Sequence, residues 1–353
     1  MGLGDCQPAI PTVDFAEWTS GGPDRRKQIA NDFVAACRTV GFAYIINHGV
    51  APGRVKEAFA MSQKLFDLGH EQKMLAPHPP GGAVHRGYSW PGFEKITQTF
   101  GDEADREDLK KRLRSIADVK ESYEVGSENN QDQPNIWLPE DVLPGFRSFT
   151  TEFYWQMNTI ARMLLRAMAI GIGLDDEEFF LSRHSGHNNQ LRLLHYPPVP
   201  AADIESQRAS RMPAHSDWGT LTMLFQDDCG GLEVEKPHKE GEFMSAHPLK
   251  DAIVTNVGDL LQRWSNDKLK STLHRVTLPP QQDRFSGDER MTRARYSIPY
   301  FVAPEGPTIV ECLPACIDEK HAAKYKAIRW NDYMLMRAGM SYEDQPVESG
   351  VPG

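Results

Sequence analysis

The feature of this chain that most constrains its fold is a succession of short apolar or alternating segments after Asn189. Clusters of Gly, Pro, Asn and Asp separate these segments, which cover residues 191–196, 221–226, 232–235, 253–257, 274–278 and 295–302. Short strands that follow one another without intervening helices favour an antiparallel sandwich or a small barrel over βαβ units. We therefore expect a jelly-roll core in this half of the chain.

The N-terminal half and the C-terminal end add helical patterns. Residues 10–15 and 41–50 are rich in β-forming residues, whereas apolar residues recur at helical spacing over 23–39, 54–66, 144–170 and 319–338. Loop-forming residues dominate 75–135, including a charged segment over 102–114. The expected fold class is α+β or mainly β, with a double-stranded β-helix (jelly-roll) core flanked by N-terminal and C-terminal helices.

Composition argues against several classes of protein. The 353 residues are 40% hydrophobic and 25% charged, which is ordinary for a globular protein. The formal net charge of −10 argues against a nucleic-acid-binding surface. No apolar run has the length of a membrane span, and the N-terminus lacks the pattern of a signal peptide. Five scattered cysteines without CxxC spacing favour a reducing compartment, so we expect a cytoplasmic protein.

The strongest chemical signal is a candidate set of metal ligands. His215 and Asp217 have one residue between them, and His274 lies in a later strand-like segment. On a strand, residues two apart point to the same side, so this pair can converge on one ion while Ser216 points away. Two imidazoles and one carboxylate form the set that holds Fe(II) by one face and leaves the opposite positions open. Taken alone, His-x-Asp is a weak motif, and a solvated polar pair on a surface strand is the alternative.

Several segments together resemble the isopenicillin N synthase-like branch of the Fe(II)/2-oxoglutarate-dependent oxygenases. The likeness lies in Ile-Pro-x-x-Asp at 10–14, Gly-Phe-x-x-x-x-Asn-His-Gly-Val at 41–50, His215-x-Asp217, His274-Arg-Val and Arg295-x-Ser297. Gly-Asp-Leu-Leu at 258–261 and Trp-Ser-Asn at 264–266 are also typical of the family. Residues 86–92, 120–124 and 191–197 are similar to fungal members, thymine 7-hydroxylase among them.

This resemblance implies an organisation and a set of cofactors. Residues 8–135 would form the family's N-terminal helical and strand region, 186–304 its jelly-roll core and 305–353 a C-terminal helical segment, all in one folded unit. His215, Asp217 and His274 would bind Fe(II), with 2-oxoglutarate as co-substrate and ascorbate as a reductant. Three protein ligands leave room for a bidentate keto acid and dioxygen.

The resemblance also implies that Arg295 and Ser297 bind the distal carboxylate of 2-oxoglutarate. A guanidinium can form two parallel hydrogen bonds to a carboxylate, and Ser297 faces the same way two residues later. Tyr196, which precedes a proline as in the family, is a candidate third donor, with an ordinary aromatic core residue as the alternative. Arg275, beside His274, points to the opposite face and is expected to form a structural ion pair.

Substrate contacts are harder to place from the sequence. Arg192 shares a strand face with Tyr196 and is a candidate anchor for an acidic or carbonyl-bearing substrate, or for the keto acid. Trp218 and Phe301 are aromatic candidates for the pocket wall, with core packing as the alternative. Leu194 stands where the family commonly has Asn, which puts in doubt any contact that this Asn would make.

Further aromatic and histidine residues complete the candidates. The segment 86–92 is either a lid over the site or a plain surface turn, and its Tyr88 is a substrate candidate in the first case. His195 is expected on the outside of the barrel. The remaining histidines in loop-like contexts are expected to be solvated: His184, His187, His238 and His247.

The expected function is Fe(II)- and 2-oxoglutarate-dependent oxidation of a C–H bond in a small polar molecule, with dioxygen as the other substrate. Hydroxylation is the default outcome, and desaturation or oxidative cyclisation would begin in the same way. The expected setting is fungal secondary, nucleobase or amino-acid metabolism. An isopenicillin N synthase-like oxidase that uses Fe(II) and oxygen without 2-oxoglutarate is the alternative enzyme. A binding or scaffold protein that kept the fold is an alternative from another class.

Overall fold

The computed structural model describes residues 10–81, 84–93 and 117–341, so the charged segment predicted at 102–114 lies outside the described residues. The helices are α1 (Pro23–Thr39), α2 (Pro52–Phe66), α3 (His70–Lys73), α4 (Phe146–Ile172), α5 (Ala201–Glu205), α6 (Asp259–Trp264) and α7 (Trp330–Ser341). Within these ranges, no helix is both long and apolar enough to cross a membrane.

The strands occur mainly in the C-terminal half, where the short apolar segments predict them. In chain order they are β1 (Thr12–Asp14), β2 (Phe42–Ile46), β3 (Gly87–Ser89), β4 (Ala117–Asp118), β5 (Glu121–Gly126), β6 (Gln190–Tyr196), β7 (Ala209–Ser210), β8 (Met212–His215), β9 (Leu221–Gln226), β10 (Leu232–Glu235), β11 (Phe243–Ser245), β12 (Ile253–Val257), β13 (His274–Val276), β14 (Phe285–Ser286), β15 (Met291–Thr292), β16 (Arg295–Val302), β17 (Ile309–Val310) and β18 (Ile328–Arg329).

Two larger sheets form the core. The first has eight strands in the order β1-β2-β12-β9-β16-β6-β5-β3, and the second has four in the order β11-β10-β13-β8. Only β1 and β2 pair in parallel within these two sheets; their other pairs are antiparallel. Residues from both sheets line one cavity, which places the sheets face to face. The predicted jelly-roll fold class is confirmed.

Alternation along β16 shows how the strands divide their side chains between two environments. Ser297 and Phe301 face the cavity between the sheets, whereas Ile298 and Tyr300 belong to an apolar cluster shared with the helices. Phe33 of α1 and Phe153 of α4 are almost fully buried in that cluster. Burial of each such side chain contributes about 1.5–3 kcal/mol to stability. The helical layer therefore supports the large sheet from the side opposite the cavity.

The prediction for residues 75–135 is wrong in part, because β3 and β5 lie in the large sheet. The sequence of β5 looks unlike a core strand since it alternates charged with apolar residues. Its alternation has a structural reason: Tyr123 and Val125 join the helix-facing core, while Glu124 is fully buried on the other face. Buried polar groups on that face are satisfied by one another, as described below.

The predicted C-terminal helix also begins too early, at 319 instead of Trp330. Residues 318–321 form a turn, and β18 then pairs with β17. The side chain of Asn266 binds this segment: its amide donates to the carbonyl of Ala322 at 3.1 Å and its oxygen accepts from the backbone N–H of Lys324 at 2.9 Å. These backbone groups are bonded to a side chain, and they are therefore not available for helical hydrogen bonds.

Candidate metal centre and its cavity

The three predicted metal ligands meet at one end of the small sheet. His215 is the last residue of β8 and lies directly opposite His274, the first residue of β13, while Asp217 follows two residues after His215. Their ligand atoms all lie within 4.8 Å of one another. Oδ1 of Asp217 is 3.9 Å from Nε2 of His215 and 3.8 Å from Nε2 of His274. One small cation fits between these three atoms.

The second oxygen of Asp217 is occupied by two hydrogen bonds. Its Oδ2 accepts from the hydroxyl of Thr222 at 2.6 Å and from the amide of Asn256 at 2.7 Å. Burial disfavours the carboxylate, but the electrostatic interaction with the neighbouring imidazoles of His274 and His215 and these two hydrogen bonds outweigh it and lower the pKa of Asp217. Asp217 is therefore a fixed anion whose Oδ1 faces the two imidazoles.

Backbone carbonyls orient both imidazoles. Nδ1 of His215 lies 2.9 Å from the carbonyl oxygen of Pro213, and Nδ1 of His274 lies 3.3 Å from that of Thr272. In each ring, Nδ1–H donates to the carbonyl, which leaves the Nε2 lone pair as the metal-binding position. The donor set is thus two neutral imidazole nitrogens and one carboxylate oxygen, which suits Fe(II).

The C-terminal helix contacts the residue between two of the metal ligands. Arg337 of α7 pairs with Asp259, which also accepts from the hydroxyl of Tyr333 at 2.8 Å. The same guanidinium donates to the hydroxyl of Ser216, the residue between His215 and Asp217, at 3.4 Å. Sequence reasoning places Ser216 facing away but gives no partner, because Arg337 lies far along the chain.

Arg295 and Ser297 lie side by side on β16, as predicted. Arg295 is only 1% exposed; its Nε donates to the carbonyl of Gly230 at 3.1 Å and its Nη1 to the hydroxyl of Ser297 at 3.1 Å. Tyr196 of β6 lies opposite Arg295, with its ring centroid 5.0 Å from the guanidinium carbon. Burial raises the pKa of Tyr196, so its hydroxyl remains a donor. All three side chains line the cavity.

The cavity has a volume of about 900 Å³ and contains the metal ligands together with most of the predicted substrate residues. Trp218, Phe301 and Leu194 form apolar parts of its wall. Arg192 also faces it, but its Nε lies 2.8 Å from Oε1 of the fully buried Glu124. The charge of Arg192 is thus engaged by a carboxylate of the protein.

The prediction of a lid over the site is wrong. Gly87–Ser89 is the edge strand β3, not a surface loop, and Tyr88 is 1% exposed and does not line the cavity. Its hydroxyl donates to Oε2 of Glu121 at 2.6 Å, and the same oxygen lies 2.8 Å from Nζ of Lys73. Tyr88 therefore belongs to a buried polar cluster behind the sheet and is removed from the substrate candidates.

The structure confirms the predictions for Arg275 and His195 and contradicts the one for His184. Arg275 faces away from the site and pairs with Glu233 at 2.7 Å, and His195 faces the outer side, 2.7 Å from Glu121, both as predicted. The prediction that His184 is solvated is wrong. Its Nδ1 lies 2.6 Å from the carbonyl of Phe180 and its Nε2 lies 2.8 Å from the hydroxyl of Thr220, and burial lowers its pKa to about 4.

Sequence reasoning assigns no role to one polar part of the cavity wall. Residues 129–133, which follow β5, bring amide side chains to it, as do Asn188 and Asn331. His187, predicted to be solvated, is partly buried, lies 2.8 Å from the hydroxyl of Ser127 and also lines the cavity. The one signal that could have found this wall is the density of Asn and Gln at 129–135 and 188–190.

Two family models match the chain. The model for the 2OG-Fe(II) oxygenase superfamily matches residues 187–304, and the model for the non-haem dioxygenase in morphine synthesis N-terminal region matches residues 10–140. The first match contains the three candidate metal ligands as well as Arg295 and Ser297.

Curated relatives match over nearly the whole chain. The 2-oxoglutarate-dependent dioxygenase frbA of Dothideomycetidae sp. (strain 11243) is 37% identical, with 93% of this chain and 97% of the relative covered. The proline hydroxylase buaE of Petromyces alliaceus is 37% identical, with 90% and 94% covered. Among solved structures, Neurospora crassa thymine 7-hydroxylase in complex with alpha-KG and thymine is 36% identical and superimposes with a TM-score of 0.82, with 95% and 98% covered.

Proposed function

The chain belongs to the 2OG-Fe(II) oxygenase superfamily and is an Fe(II)/2-oxoglutarate-dependent dioxygenase, and we propose that it oxidises a C–H bond of a small polar molecule bound in the cavity. The family predicted from the sequence is confirmed. The observation that carries the proposal is the convergence of three ligand atoms within 4.8 Å, in a cavity that also holds a buried arginine.

His215, Asp217 and His274 would hold the iron. The two neutral imidazoles and the carboxylate match the preference of Fe(II), and the hydrogen bonds from Thr222 and Asn256 keep Oδ1 of Asp217 directed at the metal position. Bound Fe(II) would activate dioxygen, which is the oxidant, and 2-oxoglutarate would supply two electrons as it is converted to succinate and carbon dioxide.

Arg295, Ser297 and Tyr196 would bind the distal carboxylate of 2-oxoglutarate. The carbonyl of Gly230 fixes Nε of Arg295, so the rest of the guanidinium is held toward the cavity. A buried guanidinium stabilises a carboxylate strongly, since little water competes for it. Dependence on 2-oxoglutarate, which the relatives share, makes an isopenicillin N synthase-like oxidase the less favoured alternative.

The substrate would occupy the part of the cavity walled by Trp218, Phe301 and Leu194. These apolar side chains exclude water from the reacting C–H bond, while amide groups along the wall orient polar groups of the substrate. One relative is named as a proline hydroxylase, and a solved relative binds thymine, so an amino-acid, peptide-like or nucleobase substrate in fungal secondary, nucleobase or amino-acid metabolism fits. Hydroxylation is the default outcome, and desaturation or cyclisation needs the same first hydrogen abstraction.

We also propose that the protein is located in the cytoplasm. Four cysteines, Cys37, Cys229, Cys312 and Cys316, are buried as free thiols, which suits a reducing compartment.

Succinate release tests the function. Purified protein is incubated with Fe(II), ascorbate and 2-oxoglutarate, with a panel of amino acids and nucleobases, and succinate is quantified. We expect release that depends on iron and keto acid, and loss of it in His215→Ala, while His247→Ala, an exposed histidine, keeps the wild-type rate. Undiminished turnover in His215→Ala would refute the metal assignment. Oxygen consumption without 2-oxoglutarate would favour the oxidase alternative.

A further inference from the structure

Arg86 is a third buried arginine in the cavity, besides Arg295 and the Glu124-paired Arg192. It is 2% exposed and lines the cavity beside Gly126, which pairs with Gln190 at the start of β6. Arg295 pairs with Tyr196 at the other end of the same strand. At about 3.3 Å per residue, the two ends of β6 are roughly 20 Å apart. Arg86 therefore does not belong to the proposed 2-oxoglutarate site.

The hydrogen bonds of Arg86 leave part of its guanidinium without an acceptor. Its Nε donates to the carbonyl of Gln133 at 3.2 Å and its Nη1 to the carbonyl of His85 at 2.6 Å. Nη2 has no hydrogen-bond acceptor among residues 10–81, 84–93 and 117–341, and no carboxylate oxygen in those ranges lies within 4.0 Å of the guanidinium. Two neutral carbonyls position the group but do not compensate its charge.

Glu124, the carboxylate whose charge acts on Arg86, is already engaged by other groups. Oε1 of Glu124 lies 2.6 Å from the hydroxyl of Ser122 and 2.8 Å from Nε of Arg192, and its Oε2 lies 3.4 Å from the hydroxyl of Ser89. Glu124 acts on Arg86 only at longer range, and burial lowers the pKa of Arg86 to about 10. A buried cation without a close anion costs several kcal/mol, which a bound anion would offset.

The backbone at Gly126 leaves room for the guanidinium of Arg86. A Cβ at Gly126 would lie 2.0 Å from Nη2 and 2.3 Å from Cζ of Arg86, so only glycine leaves room for the side chain in this position. The guanidinium thus lies against the inner face of β5, with Nη2 beside the chain and the cavity in front of it. The guanidinium of Arg86 can occupy this position only because residue 126 is glycine. The backbone of β5 and the side chain of Arg86 therefore form a preformed site.

We propose that Arg86 binds a carboxylate of the substrate. This inference rests on the proposed function and names the substrate class as carboxylic acids, such as an amino acid or a peptide with a free C-terminus. A carboxylate presents two acceptors in one plane, which matches Nη2 and the second hydrogen of Nη1. Asp132 and Glu305 also line the cavity, and they oppose a more highly charged anion such as a phosphate.

The test uses matched pairs of compounds. The protein amino acids and N-acetyl dipeptides with a free carboxylate are each compared with the corresponding primary amide, in the succinate assay with Fe(II), ascorbate and 2-oxoglutarate. We expect at least one carboxylate to stimulate succinate release, with kcat/KM at least 30-fold above that of its amide. In Arg86→Gln this preference should fall to below threefold, through KM for the substrate, while KM for 2-oxoglutarate is unchanged.

Three variants separate binding from folding. Arg86→Lys keeps the charge but not the fork and should be intermediate, whereas Gly126→Ala should resemble Arg86→Gln because its Cβ displaces the guanidinium. Arg26→Gln, which removes a partly exposed arginine paired with Glu177, should match the wild type. Substrate-independent succinate release, retained in the Arg86 variants, shows that they fold and keep the metal site.

The outcomes that would overturn the proposal are distinct from a failure of the proposed function. Equal turnover of acids and amides by the wild type, stimulation by neutral compounds alone, or an unchanged preference in Arg86→Gln each contradict it. If the wild type releases no succinate under any condition, the proposed function fails. Calorimetric titration of the metal-free protein with the same pairs then still decides whether Arg86 selects carboxylates.

Discussion

Asn256, in strand β12 of the large sheet, donates its side-chain amide to Oδ2 of Asp217 at 2.7 Å, two residues beyond the end of β8 in the small sheet. This bond and the one from Thr222 link the two sheets at the candidate metal centre. Because both donors bind Oδ2, Oδ1 is the oxygen presented to the imidazoles. Asp217 lies outside regular secondary structure, and these two hydrogen bonds to the large sheet fix its position.

Removal of this amide should weaken iron binding. We expect Asn256→Ala to raise the Kd for Fe(II) by about 10- to 100-fold, as is usual for a lost hydrogen bond to a metal ligand. Anaerobic equilibrium dialysis measures it. Gln28→Ala, which removes an exposed amide–carboxylate bond of 2.8 Å on α1, is the matched control and should bind iron like the wild type. Equal affinities in both variants would refute the role of Asn256.

The geometry of Arg295 predicts that a positive charge alone is not enough to bind 2-oxoglutarate tightly at this position. Arg295→Lys keeps the cation but loses the planar fork, so we expect KM for 2-oxoglutarate to rise about 10-fold or more, with a larger rise in Arg295→Gln. Steady-state kinetics with varied keto acid measure the effect. Arg293→Lys, two residues earlier and paired with Asp228 at the surface, should change nothing. An unchanged KM in Arg295→Lys would be incompatible with bidentate binding.

The buried pair of Arg337 with Asp259 should stabilise the fold only while both partners are present. Arg337→Met leaves Asp259 charged and 8% exposed, and we expect the free energy of unfolding to fall by about 3–5 kcal/mol. The double variant Asp259→Asn with Arg337→Met should recover part of the loss. Chemical denaturation monitored by tryptophan fluorescence measures both. Additive losses in the double variant would contradict an ion-pair origin.

His184 should make the stability depend on pH. In the folded protein its pKa is lowered to about 4, whereas an unfolded histidine titrates near 6.5, so only the unfolded chain takes up this proton between the two values. Stability from this residue is therefore complete above about pH 6.5 and lost as the pH falls toward 4, by at most about 3 kcal/mol. The variant His184→Gln should lack this pH-dependent part of the free energy of unfolding, while His247→Gln keeps it. Identical pH profiles for the wild type and His184→Gln would disprove the effect.

Periodicity predicts most of the strands and helices because it reflects burial. The bounds of α1, β9, β10, β12 and β16 agree with the apolar segments of the sequence. Strand β5 escapes this reasoning because Glu121 and Glu124 are buried through hydrogen bonds and ion pairs, a stabilisation that hydropathy patterns do not register. The segment limits 8–135, 186–304 and 305–353 stay predictions, although β1 and β2 pair into the same sheet as strands of the C-terminal half.

The sequence likewise predicts only some residues of the candidate site. His215, Asp217, His274, Arg295 and Ser297 could be found because short motifs fix their residue types and spacing. Asn256, Arg337 and Arg86 could not, since their partners are set by sheet register and by the position of α7. One weak signal existed: Asn256 is an amide in a strand whose other residues are three aliphatic residues and Thr255. A polar residue in such a strand needs a buried partner, and here the partner is a metal ligand.

The most direct test of the account is the position of iron in a crystal. Crystals loaded anaerobically with Fe(II) and 2-oxoglutarate would be measured at the iron absorption edge. We expect one strong anomalous peak within coordination distance of Nε2 of His215, Nε2 of His274 and Oδ1 of Asp217, with the distal carboxylate of the keto acid on Arg295. A peak elsewhere, or none at these three atoms in protein that releases succinate, would contradict the account.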